Sequence, residues 1–222
     1  MVQLILACLV TLLLGSGFSE AGTLDIVVVS DSFTDQVEFE AKAEKSRVLL
    51  ASLEPFKSRP ADWTWRTVFQ TTPLDCKSSW SRLLTCNRTL AKAAAGPHDK
   101  VLVLSKGFGN KGSGGDVAVC STGTYGYRVC IHEFAHSLGN LLDEYTLYSS
   151  PGVSQDRFFH NCWLGANPPD TRLWKKGCQH PNWWRLEPCT LMKRVDSAAC
   201  AYFGERSVAD LAAALDYWKG QP

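Results

Sequence analysis

With 222 residues, 45% of them apolar and 20% charged, the chain can bury one core of ordinary size, which excludes a disordered tail. Lys and Arg number 23 against 22 Asp and Glu, so no overall field draws the chain to nucleic acid or to an anionic membrane. Neither is expected as a partner.

Val2 to Leu14 is almost wholly apolar and Gly15-Ser16-Gly17 breaks it. About 13 apolar residues are too few to span a bilayer comfortably, so residues 1–21 read as a secretory signal peptide. The small-x-small run Ser19-Glu20-Ala21 places the cleavage before Gly22. No Lys or Arg precedes the apolar run, and a buried N-terminal helix is the alternative. A secreted, extracellular protein is expected, with no membrane contact once the signal has gone.

Leu24 to Val29 is a β-branched apolar run, the pattern of a strand covered on both faces. Thr34 is placed to cap a following helix that carries Val37, Ala41, Val48 and Leu49, with Pro55 at its stop. Trp63 to Gln70 alternates like a half-buried strand. Leu90 to Ala95 reads as a helix ended by Gly96-Pro97, and Val101 to Leu104 as a buried strand. A glycine-rich stretch (Gly107, Gly109, Gly112, Gly114, Gly115) precedes a strand at Val117 to Val119; it lacks the Gly-Lys-Ser/Thr ending of a phosphate loop. Val129 to Leu138 has helical character. Alternating strands and helices predict a layered α/β fold. Ser149 to Asp196 is irregular and rich in Pro, Trp and Cys. Ser207 to Asp210 reads as a cap for a last helix with Leu211 and Leu215 on one face. No repeat or linker appears, so residues 22–222 are expected to form one domain, with the sheet and helix in 22–139 and a loop-rich subregion plus the last helix in 140–222.

Of nine cysteines, Cys8 leaves with the signal, and an even set remains. In an exported chain that predicts four disulfides. Eight cysteines allow about 105 pairings. Pairing of neighbours is expected: Cys76 with Cys86, Cys120 with Cys130, Cys162 with Cys178, and Cys189 with Cys200. No C-x-x-C occurs, which argues against a cysteine-held metal. Asn87-Arg88-Thr89 is an N-glycosylation sequon that fits a surface loop.

The chemistry lies in His132-Glu133-Phe134-Ala135-His136. Histidines four apart on a helix share a face, and neutral imidazoles at that spacing can reach one zinc ion at about 2 Å. Glu133 can take a proton from a water that the metal activates. Gly139 can stop the helix and turn the chain back, so that Asp143 supplies an oxygen as third ligand. Catalytic zinc wants three protein ligands and one open position.

The run from His132 to Tyr145 (HEFAHSLGNLLDEY) resembles the signature of the M64 metallopeptidases, the IgA-peptidase family, which are similar to metzincins. The resemblance extends to Asp25 to Val28 with Asp31, to Glu54-Pro55-Phe56-Lys57, to Gly112 to Gly115, and to Cys189-Thr190-Leu191-Met192. It implies a metzincin-like α/β fold: a twisted sheet, an active-site helix and a loop-rich, disulfide-bonded C-terminal subregion. It implies one catalytic zinc on His132 and His136, Glu133 as general base, and a Met-turn beneath the metal. Met192 is the sole methionine besides Met1, so that role can fall nowhere else. Metzincins place their third ligand where Leu142 stands here; the M64 pattern has an acid one residue later, which is Asp143, with Glu144 as runner-up. No room exists for an inhibitory propeptide between signal and first strand, so the enzyme is either secreted active or restrained by something outside the chain.

Tyr145 or Tyr202 could stabilise an oxyanion. His160 and His180 could line the cleft, and Trp163, Trp174, Trp183 and Trp184 could form subsites, although packing around disulfides is the ordinary role of such tryptophans. The glycine-rich stretch could let a substrate backbone approach a strand edge. The expected function is zinc-dependent hydrolysis of peptide bonds in a protein or peptide substrate. The rivals are a zinc amide hydrolase acting on cell-wall peptides, a secreted binding module that keeps zinc as a staple, and a disulfide-rich structural protein without metal.

Overall fold

Residues in β1 (Leu24–Asp31) are buried along nearly the whole strand, and successive side chains go to opposite faces. Ile26 and Val28 enter one core, Val27 and Val29 another. The same division runs through β5 (Lys100–Ser105) and β7 (Val117–Ser121): Leu102, Leu104, Ala118 and Cys120 face the first core, and Val101, Val103, Val117 and Val119 the second. A strand apolar on both faces needs cover on both. α1 (Gln36–Ser52), α3 (Gly126–Gly139) and α4 (Glu205–Lys219) cover one face, with Phe39, Leu50, Ile131, Phe134 and Leu211 in the larger core. α2 (Arg88–Ala95) covers the other through Ala91 and Ala95. This computed structural model describes residues 22–79, 83–145, 161–163, 168, 175–186 and 189–220. The expected signal peptide, His160 and Trp174 lie outside them, and His180 is described by its backbone alone.

The main sheet has the order β2-β1-β5-β7-β6. β2 (Trp63–Val68), β1, β5 and β7 are parallel, and the edge strand β6 (Gly112–Ser113) runs antiparallel to β7. A hairpin of β3 (Lys77–Ser78) and β4 (Leu84–Thr85) lies nearby, joined at its base by Cys76–Cys86. The C-terminal region, expected to be irregular, contains a small antiparallel sheet of β8 (Cys162–Trp163), β9 (Lys175–Cys178) and β10 (His180–Arg185). Its strands are too short, and too mixed in residue type, to leave a period in the sequence. Cys120–Cys130 ties β7 to α3, Cys162–Cys178 ties β8 to β9, and Cys189–Cys200 closes the segment before α4. Among the described residues, no helix is long and apolar enough to cross a membrane.

Three helix starts differ from expectation. Asp35, not Thr34, caps α1, its Oδ1 accepting the Val37 N–H at 2.8 Å. That phase turns Val37 and Val48 outward, 73% and 54% exposed, and buries Phe39, Ala43, Ser46 and Leu50. Asn87 caps α2 with its side-chain oxygen, so that helix begins two residues before Leu90. α4 starts after Gly204, which leaves Ser207 inside the helix and buried, not at its cap.

The C-terminal end of β1 is secured by a buried carboxyl group. Asp31 Oδ1 accepts the Leu74 N–H at 2.8 Å, and Oδ2 accepts the Ser105 and Ser32 hydroxyls at 2.6 and 3.0 Å. One side chain thereby joins β1, β5 and the chain returning from β2. Removing it strands buried donors, each at a cost of about 1–3 kcal/mol. Asp31→Ala should lower the unfolding free energy by about 2–4 kcal/mol, seen as a fall in the urea midpoint at unchanged slope. Val37→Ser, on the exposed face of α1, should change it by less than about 0.5 kcal/mol.

Candidate metal centre

α3 buries Val129, Ile131, Phe134, Ala135 and Leu138 in the larger core, which fixes its rotation about its own axis. His132 and His136 then stand one turn apart, with ring centroids 4.6 Å apart and planes perpendicular. His132 and Glu133 line a cleft of about 510 Å³.

The backbone decides how each imidazole is used. His132 Nδ1 lies 3.0 Å from the Leu191 carbonyl oxygen, and His136 Nδ1 lies 2.6 Å from that of Leu141. A carbonyl only accepts, so each Nδ1 carries the proton and donates it, leaving a lone pair on each Nε2. The two Nε2 atoms are 3.1 Å apart. Asp143 Oδ1 lies 3.0 Å from the first and 3.2 Å from the second. That oxygen is buried and accepts no hydrogen bond while the imidazoles are neutral. Without a proton or a cation among them, three acceptors crowded at one point repel one another, so something positive belongs there.

A proton is one answer. Burial pushes the His136 imidazole down, but the hydrogen bond and charge of Asp143 outweigh burial and push it up to about 9. Burial also works to raise the Asp143 carboxyl, yet the two imidazoles hold it well below the usual carboxylate range. A divalent cation is the other answer. Ligands of a tetrahedral zinc at bonds of about 2.0–2.1 Å stand about 3.3 Å from one another, close to the triangle found here. Two imidazoles and a carboxylate form a zinc donor set, with each ring oriented by its other nitrogen. The residues fit the metal.

Glu133 has the complementary placement. Its carboxylate and the two imidazoles offer ligand atoms within 4.8 Å of one another. Glu133 lines the cleft and Asp143 does not, so the two carboxylates meet the imidazoles from different sides. Burial pushes its carboxyl above the usual range, the imidazoles pulling the other way. Gly112 and Gly114 make room for this. A Cβ on Gly112 would come within 2.5 Å of Glu133 Cγ, and one on Gly114 would collide with His136 Cβ. The Cβ side of these glycines is therefore taken by α3 and Leu83 bridges Gly112, while Gly112 itself lines the cleft.

After α3 the left-handed turn is made by Asn140 (φ 51°, ψ 34°), not by Gly139. Asn tolerates that conformation because its short polar side chain can bond locally. Gly139 instead permits close packing, since a Cβ there would lie 3.0 Å from Leu211 Cδ2. The structure brings Asp143, and not Glu144, to the imidazoles. The Glu144 carboxylate is buried on the other side, accepting the Thr190 hydroxyl at 2.6 Å and the Ser207 hydroxyl and Asn161 amide at 3.4 Å. Met192 is fully buried. The turn around it holds both halves of the centre, Leu191 through its carbonyl on His132 and Met192 through its carbonyl on the Glu144 N–H at 3.0 Å.

Tyr145 lines the cleft and stacks near His132, centroids 6.4 Å apart and planes within 16°. Tyr202 does not line it; its backbone carbonyl accepts the Leu191 N–H at 2.8 Å. Trp163, Trp183 and Trp184 belong to the small sheet, with Trp183 packed on Leu142 and the Cys162–Cys178 pair, away from the residues that line the cleft. Lys193 and Arg194, which also line the cleft, escaped the sequence reading, because two cations after a methionine carry no periodic or motif signal.

Asp143→Asn removes the charge that completes the set and should weaken zinc binding by at least about a hundredfold, more than the loss of an outer partner costs. Competition with a chromogenic chelator measures it. Zinc and a proton compete for the same lone pairs, and the Asp143 carboxylate pushes the His136 imidazole up, so zinc uptake should release about one proton. Titration calorimetry in two buffers of different ionisation enthalpy reads that number, which should fall as the pH is raised past 9.

Comparison with known proteins adds little at the level of sequence: no family model matches the chain, and no curated protein matches it. Among solved structures, the chain is similar to archaemetzincin from Methanopyrus kandleri, with a TM-score of 0.46 at 12% identity, covering 89% of this chain and 98% of that one. A likeness of this size leaves the function to be read from the site itself.

Proposed function

We propose that the chain is a secreted zinc-dependent endopeptidase of the M64 type, with His132, His136 and Asp143 as metal ligands and Glu133 as general base. One observation carries this reading: two imidazole nitrogens and a carboxylate oxygen converge at 3.0–3.2 Å from one another, beside a cleft lined by a further carboxylate. When bound, zinc supplies Lewis acidity, which acidifies a water and polarises a scissile carbonyl. The chain's own groups do the rest. Glu133, its basicity raised by burial, takes a proton at its carboxylate from the attacking water and returns it to the leaving amine. His132 and His136 stay oriented because Leu191 and Leu141 hold their Nδ1 protons. Tyr145, stacked near His132 at the cleft, is placed to donate a hydrogen bond to the oxygen that gains charge.

Four disulfides favour an oxidising compartment, which supports export and a signal peptide at residues 1–21. Asn87 is exposed, as a glycan acceptor must be. The catalytic domain would then be residues 22–222. The centre lies at its internal boundary: the histidines come from 22–139 and Asp143 and the Met192 turn from 140–222. A zinc amide hydrolase acting on cell-wall peptides would share this geometry and differ in substrate. A binding module that kept the metal as a staple would have no use for a buried base on the cleft side.

Zinc content and casein cleavage, measured on wild type and Glu133→Ala, test the reading. Both proteins should bind about one zinc per chain, and the variant should lose at least about a hundredfold in cleavage rate. Zinc-bound but inactive wild type would favour the binding module or the narrower hydrolase, and a chain that binds no zinc would sink the proposal. Chelation should lower the melting temperature and added zinc restore it, since zinc at about 100 times its dissociation constant stabilises the folded state by about 2.7 kcal/mol.

A further inference from the structure

The carboxylate that completes the centre stands on a segment with no regular structure of its own. Residues 140–145 belong to neither helix nor strand. Leu141, Leu142, Asp143 and Glu144 are nonetheless buried, and buried backbone groups need partners. Two side-chain amides supply them. Asn161 serves Leu142 twice: its Oδ1 accepts the Leu142 N–H at 3.0 Å and its Nδ2 donates to the Leu142 carbonyl at 2.8 Å. That is the exchange a neighbouring strand would make, performed by one side chain. Gln179 brackets the next residues, its Oε1 accepting the Asp143 N–H at 3.1 Å and its own N–H donating to the Tyr145 carbonyl at 3.1 Å.

Both amides are held from behind. Asn161 precedes Cys162 and Gln179 follows Cys178, and these two cysteines form a buried disulfide packed on Leu142. Gln179 takes a left-handed conformation, φ 57°, so its direction is set by the turn it occupies. Neither amide is exposed. The two residues hydrogen-bond the backbone of Leu142, Asp143 and Tyr145.

We propose that Asn161 and Gln179 are positioning residues for Asp143, a pair of amides that holds the third carboxylate against His132 and His136 and so sets how tightly the metal is kept. This rests on the metal-centre reading given above. An unbraced segment would sample conformations in which Asp143 Oδ1 leaves the two Nε2 atoms, and the lost freedom would be charged against every binding event. Partners one layer behind metal ligands typically change affinity about 10- to 100-fold when removed.

The test uses the full mature chain, stripped of metal, with zinc as the probe and a chromogenic chelator as competitor at fixed pH. Gln179→Met keeps the length and removes the acceptor, and Gln179→Glu keeps the acceptor. Asn161→Leu keeps the size and removes both bonds to Leu142 along with the one to Glu144, and Lys175→Ala is an exposed control on the same small sheet. Gln179→Met and Asn161→Leu should bind zinc about 10- to 100-fold more weakly. Gln179→Glu and Lys175→Ala should stay within about threefold of wild type. The melting temperature of each metal-free protein is measured alongside, because a purely structural role would lower it and leave the affinity of the folded protein unchanged. Should Asn161→Leu fail to fold, the Gln179 pair decides alone. Wild-type affinity in Gln179→Met overturns the positioning role and leaves the metal centre standing. A wild type that binds no zinc removes the centre itself, and this inference with it.

Discussion

Three acceptor atoms held within 3.2 Å of one another are the constraint on which the rest of this structure turns. Left neutral and empty of charge, such a triangle repels itself. The molecule must therefore hold it together from outside, and most of its less regular features serve that end. The Leu191 and Leu141 carbonyls fix the proton on each Nδ1, so that the lone pairs and not the N–H groups face inward. Burial on the side away from solvent raises the strength of whatever positive charge completes the set.

The two sides of the centre are built by different physics. The histidines ride on α3, whose rotation is dictated by hydrophobic packing on the sheet and by Cys120–Cys130. Asp143 rides on a segment with no helix or strand, and its position is dictated by hydrogen bonds to Asn161, Gln179 and, at the next N–H, the Met192 carbonyl, together with the burial of Leu141 and Leu142 beside it. Glu144 connects this segment to Thr190 and Ser207, and so to the Met192 turn and α4. Two adjacent acids point to opposite sides, one into the centre and one into a polar knot behind it. This division explains why one carboxylate is available for a metal and its neighbour is not.

Much of the framework was legible beforehand. The strands at Leu24, Val101 and Val117 announced themselves as β-branched apolar runs, because a sheet covered on both faces leaves no polar alternation to confuse the reading. The helix starts were less legible. Thr34 and Asp35 are both good caps, and only the packing of Phe39 and Leu50 against the sheet selects the phase that exposes Val37. Ser207 looked like a cap because serine prefers that place, yet the Glu144 carboxylate is what its hydroxyl approaches. The small C-terminal sheet left no trace, since its strands are only a few residues long and carry too little pattern. Lys193 and Arg194 reach the cleft through chain folding alone.

By itself the sequence determined the local chemistry: two imidazoles four apart on a helix, a carboxylate between them, and an acid a few residues after the turn. Spacing along a helix is a covalent fact translated by a known geometry, so the shared face of His132 and His136 follows from the order of residues. Only the tertiary structure decided between Asp143 and Glu144 at the imidazoles, gave Gly112 and Gly114 their place against Glu133 and His136, and drew Asn161 and Gln179 to the segment between. Those choices depend on contacts between residues far apart in the chain, where hydrogen bonding and steric exclusion act across space and leave no period or motif to read.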